Sequence, residues 1–445
     1  MNIKYHRINL NESEWTNIDG EVKMVKCFSD AKKFNTVGNS VIYVATANMD
    51  IGEIIKKGDL VFFKANNSRG VNGLGRTEES FGSCEDVAEV FGYTLLKNLK
   101  NDIGEKCVLE GTPYGFSEYS DDAFWSIIAN QTNGLVESSR LYGCVSPNVV
   151  SKNGVIIHGD SLLELVVDSK LVYTSTQNNL ANYNKSLEEF VIRAKKFNQD
   201  TVISPNCIRY LANTMFFDYF IANSDRHCKN VNFQHVKFSD NMFVLEPIPV
   251  LDNGGALCLQ SMRCNNFYAE QAEILNQKGK FTKSNGVKEH DPFDCMYDFE
   301  IGKESFKDEK IKELFDSMTY EEQMVILITQ NKVLYEDFKN MYENLDFEKA
   351  VSTMISTNKY PRDYLPEFTE IAKAVLNLKK REICKVCANV LGIDFSEEKF
   401  NENPNYYLEE LGNIVQENEL NIYIATNEEQ KEFANAIQLA KKLEN

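Results

Sequence analysis

An α+β chain of two lobes, the first rich in β-strand and the second mainly helical, is predicted by three observations. Residues 20–65 hold short β-like segments separated by Gly, Asn and Asp turns. From residue 204 onward, apolar residues recur at threes and fours, the period of a helix with one buried face. A length of 445 residues exceeds one ordinary core and suits two large lobes around a cleft, or two to three domains. The expected division is an N-lobe over 1–145, a C-lobe over 146–400 and an acidic helical extension over 401–445, with the first boundary near Gly143.

The strands of the first lobe are read in EVKMVKCF, NSVIYVAT and DLVFFKA. The pattern then changes to SCEDVAEVFGYTLLKNL, where Val87, Val90, Phe91 and Leu95 fall on one helical face. Between 105 and 184 the signal is mixed, with a strand expected at GVIIHG and a helix at DSLLELVV. SPNCIRYLANTMFFDYFIANS opens on a Ser cap with Pro at the first helical position. Its apolar Ile208, Leu211, Ala212, Met215, Phe216, Tyr219 and Phe220 make it a core helix. VNFQHVKF and MFVLEPIPVL, joined through Ser239, Asp240 and Asn241, read as a hairpin. Residues 305–391 look helical throughout, and NEEQKEFANAIQLAKKL forms a final helix.

Hydrophobic residues make up 43% of the chain, ample for a packed core. A formal charge of −18 argues against wrapping nucleic acid or lying on anionic lipid through the overall field, so neither direct nucleic-acid binding nor membrane attachment is expected. Eleven cysteines without a repeating framework fit a reducing compartment. Cys384 and Cys387 form a C-x-x-C in a helix, but no further ligands lie at matching spacing, so they are read as core thiols. The N-terminus lacks the pattern of a signal peptide and no apolar run reaches membrane-spanning length, so a cytoplasmic location is expected.

The chemistry is concentrated at NSDRHCKNVNF, residues 223–233, directly after the core helix. Asp225 and Asn230 lie five apart, and Asp252 follows the hairpin in PVLDNGG. An Asp, an Asn five later and an Asp before Gly after two short strands is the order that phosphoryl transfer uses. A carboxylate at Asp225 orients an acceptor hydroxyl and takes its proton. Asn230 and Asp252 offer hard oxygens to Mg²⁺, which bridges the phosphates of ATP. The fourth part is a lysine on a strand of the small lobe, held by a helix glutamate. Lys64 and Glu85 fit these places, with Glu78, Glu79 and Glu89 as rivals for the pairing. Each residue has a plainer reading alone: a solvated strand lysine, a turn aspartate, a chance D-x-x-x-x-N. Their joint order favours the kinase-like reading.

His227 either braces the loop backbone or touches a phosphate, and Arg226 either balances the carboxylates or contacts substrate. The glycines of SRGVNGLGRTEES, residues 68–80, follow Lys64, whereas a kinase Gly-rich loop precedes its lysine, so they are read as a connector. FNTVGNS, residues 34–40, is correctly placed but holds one glycine.

NSDRHCKN resembles the D-R-H-x-x-N catalytic loop of HipA-like and CtkA-like bacterial kinases and of phosphatidylinositol kinases. PIPVLDNGGALCL resembles the segment carrying their metal-binding Asp, and YGCVSPNVVSKNGVIIHGDSLLEL is similar to the stretch near the HipA-like interlobe hinge. The resemblance spans residues 60–260 and implies a two-lobed protein-kinase-like fold. It makes Asp225 the catalytic base, Asn230 and Asp252 the Mg²⁺ ligands and Lys64 the phosphate lysine. It further implies serine/threonine phosphorylation of a protein substrate, in some members as the toxin of a toxin-antitoxin pair, with an antitoxin or operon partner. About sixty residues precede Lys64, so the extra N-terminal subdomain of full-length HipA toxins is expected to be absent, as in the compact CtkA-like type. Asn232 stands where many relatives carry glycine.

The expectation is therefore an ATP- and Mg²⁺-dependent protein serine/threonine kinase, with autophosphorylation on Ser68, Ser80 or Ser83 of the connector. Its rivals are a phosphatidylinositol-type lipid kinase and a non-catalytic pseudokinase scaffold.

Overall fold

The computed structural model describes residues 8–10, 13–18, 20–34, 42–65, 85–119, 141–151, 154–158, 200–204, 206–223, 226, 230–237, 242–258, 281–282, 289–290, 306–315, 317–357, 365–421 and 424–444. The N-terminal region is rich in strand and the C-terminal region is helical, as the sequence predicts, and the architecture is α+β.

Strands β1 (Ile8–Asn9), β4 (Phe28–Phe34), β5 (Ile42–Ala47), β6 (Leu60–Ala65), β7 (Gly115–Tyr119) and β8 (Leu141–Pro147) form a six-stranded sheet in the order β1-β7-β8-β6-β5-β4. A separate hairpin of β2 (Ser13–Ile18) and β3 (Glu21–Lys26) precedes β4. Pairing is antiparallel from β4 through to β7, and β1 joins β7 in parallel. The period of two along β6 decides what each side chain does. Val61 and Phe63 enter a core with Phe28, Ala45, Ile55 and Val145, while Lys64 goes to the other face. Strand β8 carries this sheet past residue 145 to Pro147.

Helix α1 (Glu85–Ile103) follows β6 and lies against β7 and β8. Its Val87, Phe91, Leu95 and Leu99 are buried in the larger core, in the register the sequence predicts. Phe91 meets Phe347 edge-on at 5.2 Å, fastening α1 to the helical half.

A four-stranded sheet follows, in the order β10-β12-β11-β9, from β9 (Gly154–His158), β10 (Asp200–Ile203), β11 (Asn232–Lys237) and β12 (Met242–Pro247). The expected hairpin is the antiparallel pair β11 and β12, with Val236 opposite Val244. The strand expected at GVIIHG is β9. Residues 160–167, with the expected helix DSLLELVV, and the connector through residue 83, with its modification serines Ser68, Ser80 and Ser83, lie outside the described residues.

Helix α2 (Asn206–Phe220) is buried from Cys207 to Phe220. Ser204 Oγ accepts from the Asn206 N–H at 3.3 Å, as the expected cap requires. After it come α3 (Glu309–Phe315), α4 (Tyr320–Thr329), α5 (Lys332–Asn344), α6 (Phe347–Thr357), α7 (Leu365–Leu391), α8 (Glu397–Glu402), α9 (Tyr406–Gly412) and α10 (Asn427–Glu444), with α5 and α7 packed on α2. The segment read as an extension is part of this mass: Leu408, Leu411, Leu420 and Ile424 are core residues. Buried Arg209 of α2 forks onto Asp337 of α5 at 2.7 and 2.6 Å and donates to the Ala425 carbonyl at 3.0 Å, which ties the last segment to the centre. Cys384 and Cys387 are buried free thiols of α7, as expected. No helix among the described residues is long and apolar enough to cross a membrane.

Helix α4 opens on a capping box: Glu322 N–H donates to Thr319 Oγ1 at 3.2 Å, and Thr319 N–H donates to Glu322 Oε2 at 2.7 Å. Thr319→Ala is expected to lower stability by about 1 kcal/mol, read as a shifted urea midpoint at unchanged slope.

Candidate active site

Lys64 sits on the central strand β6, between Ile42 of β5 and Cys144 of β8. Its Nζ donates to Glu89 Oε1 at 3.0 Å and to Asp252 Oδ1 at 2.9 Å, so one cation joins a strand, a helix and a loop. The lysine meets two of the residues the sequence singles out, Asp252 and one of the rival glutamates. Among the described side chains, the glutamate on Lys64 is Glu89; the side chain of Glu85, the preferred assignment, lies outside the described residues. Glu85 is the first residue of α1, and Glu89 lies one turn further along the helix.

Glu89 is fully buried. Its second oxygen, Oε2, accepts the backbone N–H of Asn253 at 2.7 Å. Burial pushes its carboxyl up to about 7, against the pull of the Lys64 charge, with the neighbouring charge of Asp252 adding to the rise. Lys64 and Asp252 keep about a fifth and a quarter of their side chains exposed, so the triad has one dry end and one end open to a ligand.

Asp252 follows a pinned stretch of backbone. The Val250 N–H donates to the Glu110 carbonyl at 2.6 Å, and Thr112 N–H returns to the Val250 carbonyl at 2.8 Å. Beyond it, Leu257 N–H donates to the Ile221 carbonyl at the end of α2, at 2.6 Å. Asp252 itself has φ of +60°, a left-handed conformation that a residue with a side chain holds only where its surroundings impose it.

Arg226 supplies that imposition. It is buried, and all five of its N–H donors are used. Nε and Nη2 fork onto Asp218 at 2.8 and 3.1 Å. Nη1 donates to the backbone carbonyls of Asn230, at 2.9 Å, and Leu251, while Nη2 also donates to Asn253 Oδ1 at 2.9 Å. The guanidinium thus straps the loop after α2 to the Asp252 segment and brings Asn230 beside it. Of the two readings of Arg226, burial selects the one in which it balances a carboxylate, that of Asp218. Burial pushes the Asp218 carboxyl up and the Arg226 charge draws it back. Asn223 Nδ2 adds a bond to Asp218 Oδ1 at 2.9 Å.

Asp225 and His227, on either side of Arg226, lie outside the described residues, as do Glu78 and Glu79. Sequence reasoning missed Asp218 and Asn253. The signal for Asp218 was a lone acid in MFFDYF, where the helical period leaves no solvent-facing position; for Asn253 there was none.

The donor set near Asp252 suits a hard cation: a partly exposed carboxylate and, at Asn230, a half-buried amide oxygen, matching the one or two protein oxygens that Mg²⁺ takes beside phosphate oxygens. Among the described residues, no three His, Cys, Asp or Glu side chains gather as a metal cluster.

No family model and no curated protein sequence matches this chain. Among solved structures, the Helicobacter pylori proinflammatory kinase CtkA aligns with 85% of this chain and 96% of its own, at a TM-score of 0.46 and 13% sequence identity.

Proposed function

We propose that this chain is an ATP- and Mg²⁺-dependent protein serine/threonine kinase of the HipA-like type, acting in the cytoplasm. The observation that carries the reading is the triad in which Lys64, on the central strand of the first sheet, is held by buried Glu89 and reaches Asp252. A lysine on a strand, held by a helix glutamate and placed beside a metal-ligand Asp, is the arrangement by which kinases secure a triphosphate.

In this reading Lys64 binds the phosphates and Glu89 keeps its Nζ from turning away. Asp252 and Asn230 would hold the metal, which would supply positive charge against the negative charge of the phosphates. Asp225 accepts the proton of the acceptor hydroxyl, a role resting on its position five residues before Asn230. Arg226, saturated by protein acceptors, keeps the loop and the Asp252 segment in register, so that acceptor and phosphoryl group meet without the entropy cost of finding each other. The protein substrate and an antitoxin or operon partner belong to the same proposal.

The test is incubation of the full chain with [γ-³²P]ATP and Mg²⁺, alone, with a generic basic protein or with phosphatidylinositol vesicles, beside Asp225→Ala and Asp252→Ala. Label on the chain or the substrate, lost in both variants, is the expected result. Label appearing only on phosphatidylinositol vesicles would replace the protein-kinase reading with a lipid-kinase one. A folded wild type that binds ATP and labels nothing would leave a scaffold in its place.

A further inference from the structure

Asn253 lies where the two halves of the site meet. It is fully buried, its backbone N–H donates to Glu89 Oε2 at 2.7 Å, and its Oδ1 accepts from Arg226 Nη2 at 2.9 Å. A guanidinium only donates, so this second bond fixes which way the amide faces. Nδ2 is thereby turned toward α1 at Gly92, and it has no hydrogen-bond partner among the described residues. A buried donor left in this way costs stability, which a residue chosen only to fill the space would not incur.

Gly92, three residues after Glu89 on α1, is the other half of the contact. A Cβ placed on it would stand 2.8 Å from Cβ, Cγ and Nδ2 of Asn253. Only glycine lets the helix carrying Glu89 come this close to the segment carrying Asp252. The neighbouring Asp252 has φ of +60°, so its conformation must be held from both sides. On one side Arg226 grips the Leu251 carbonyl, and on the other it grips Asn253.

We propose that Asn253 is a positioning residue of the phosphoryl-transfer site: by linking Glu89 to Arg226 it holds Asp252 against Lys64 and in register with Asn230. The role rests on the kinase reading above. It requires that the acceptor oxygen of residue 253, and not its bulk alone, sets the rate. Aspartate, which keeps that oxygen at the same reach, must then restore what alanine removes.

The experiment is steady-state ATP kinetics across pH on the full chain, with thermal melting as the check on folding, for Asn253→Ala, Asn253→Asp and Gly92→Ala. Asn253→Ala is expected to lower kcat about 10- to 100-fold, the scale of a misplacement near 1 Å, with the acceptor KM within about twofold of wild type. Asn253→Asp is expected to recover most of kcat, while its charge beside Glu89 moves the acid limb of the pH profile to higher pH. Gly92→Ala strains the same contact without touching Arg226 and is expected to lower kcat similarly. A folded Asn253→Ala with wild-type kcat and pH profile overturns the inference; so does Gly92→Ala with wild-type kinetics where Asn253→Ala does not fold. A wild type that transfers no phosphate refutes the kinase reading, and the positioning role with it.

Discussion

Arg226→Ala is expected to lower the unfolding free energy by about 3–5 kcal/mol, the scale of breaking a buried ion pair from one side. The guanidinium meets Asp218 twice, two backbone carbonyls and the Asn253 amide, so its removal strips the buried Asp218 carboxylate of its ion pair and takes one donor from each of three further acceptors. Arg226→Lys is not expected to rescue it. An ammonium has three donors around a point and cannot span acceptors set on both edges of a planar fork. Urea denaturation of both variants tests this. A loss below about 1 kcal/mol would show that the network contributes as little as a surface pair. Phosphoryl transfer is expected to fall with stability, since the same bonds hold Asn230 beside the Asp252 segment.

Lys64→Met is expected to lower kcat/KM for ATP about 100- to 1,000-fold, the scale of deleting one preorganised electrostatic partner of a transition state. The pH dependence of the wild type follows from the acid that holds it. Burial raises the Glu89 carboxyl to about 7, so as the pH falls through that value Glu89 takes up a proton and Lys64 loses the negative charge of Glu89. kcat/KM for ATP is expected to fall toward tenfold per unit below about pH 7, and Glu89→Gln is expected to start low and lose this limb. Stability moves the other way. A carboxyl whose folded pKa lies above its ordinary 4.5 binds more protons folded than unfolded between 4.5 and about 7. Its contribution to stability is therefore full below the ordinary value and is lost as the pH rises to about 7. In the same interval, Glu89→Gln should flatten the slope of melting temperature against pH. A wild-type ATP profile level from pH 8 to 5.5 would sink this account.

The parts of the site that could be read from the chain are those whose meaning is local. Lys64 at the end of an alternating strand and Asp252 before two glycines after a hairpin are marked by period and turn chemistry, and the structure joins them across 188 residues. The core helix before NSDRHCKN and the plain role of Cys384 and Cys387 were legible for the same reason. Glu89 was visible only as one of three rivals to Glu85. Glu85 and Glu89 lie one helical turn apart, and spacing along the chain alone does not choose between them.

Residue type and hydrophobic period were enough to decide which segments became strands and helices, and which side chains were available for chemistry. Both act over a few residues and are written in order along the chain. Packing decided the pairings. Asp218 neutralises Arg226, Asn253 links two halves of the site, Gly92 admits their close approach, and Leu408, Leu411, Leu420 and Ile424 complete the core because distant surfaces must fill space and satisfy buried donors together. That requirement depends on three-dimensional neighbours, which no local pattern in the chain encodes.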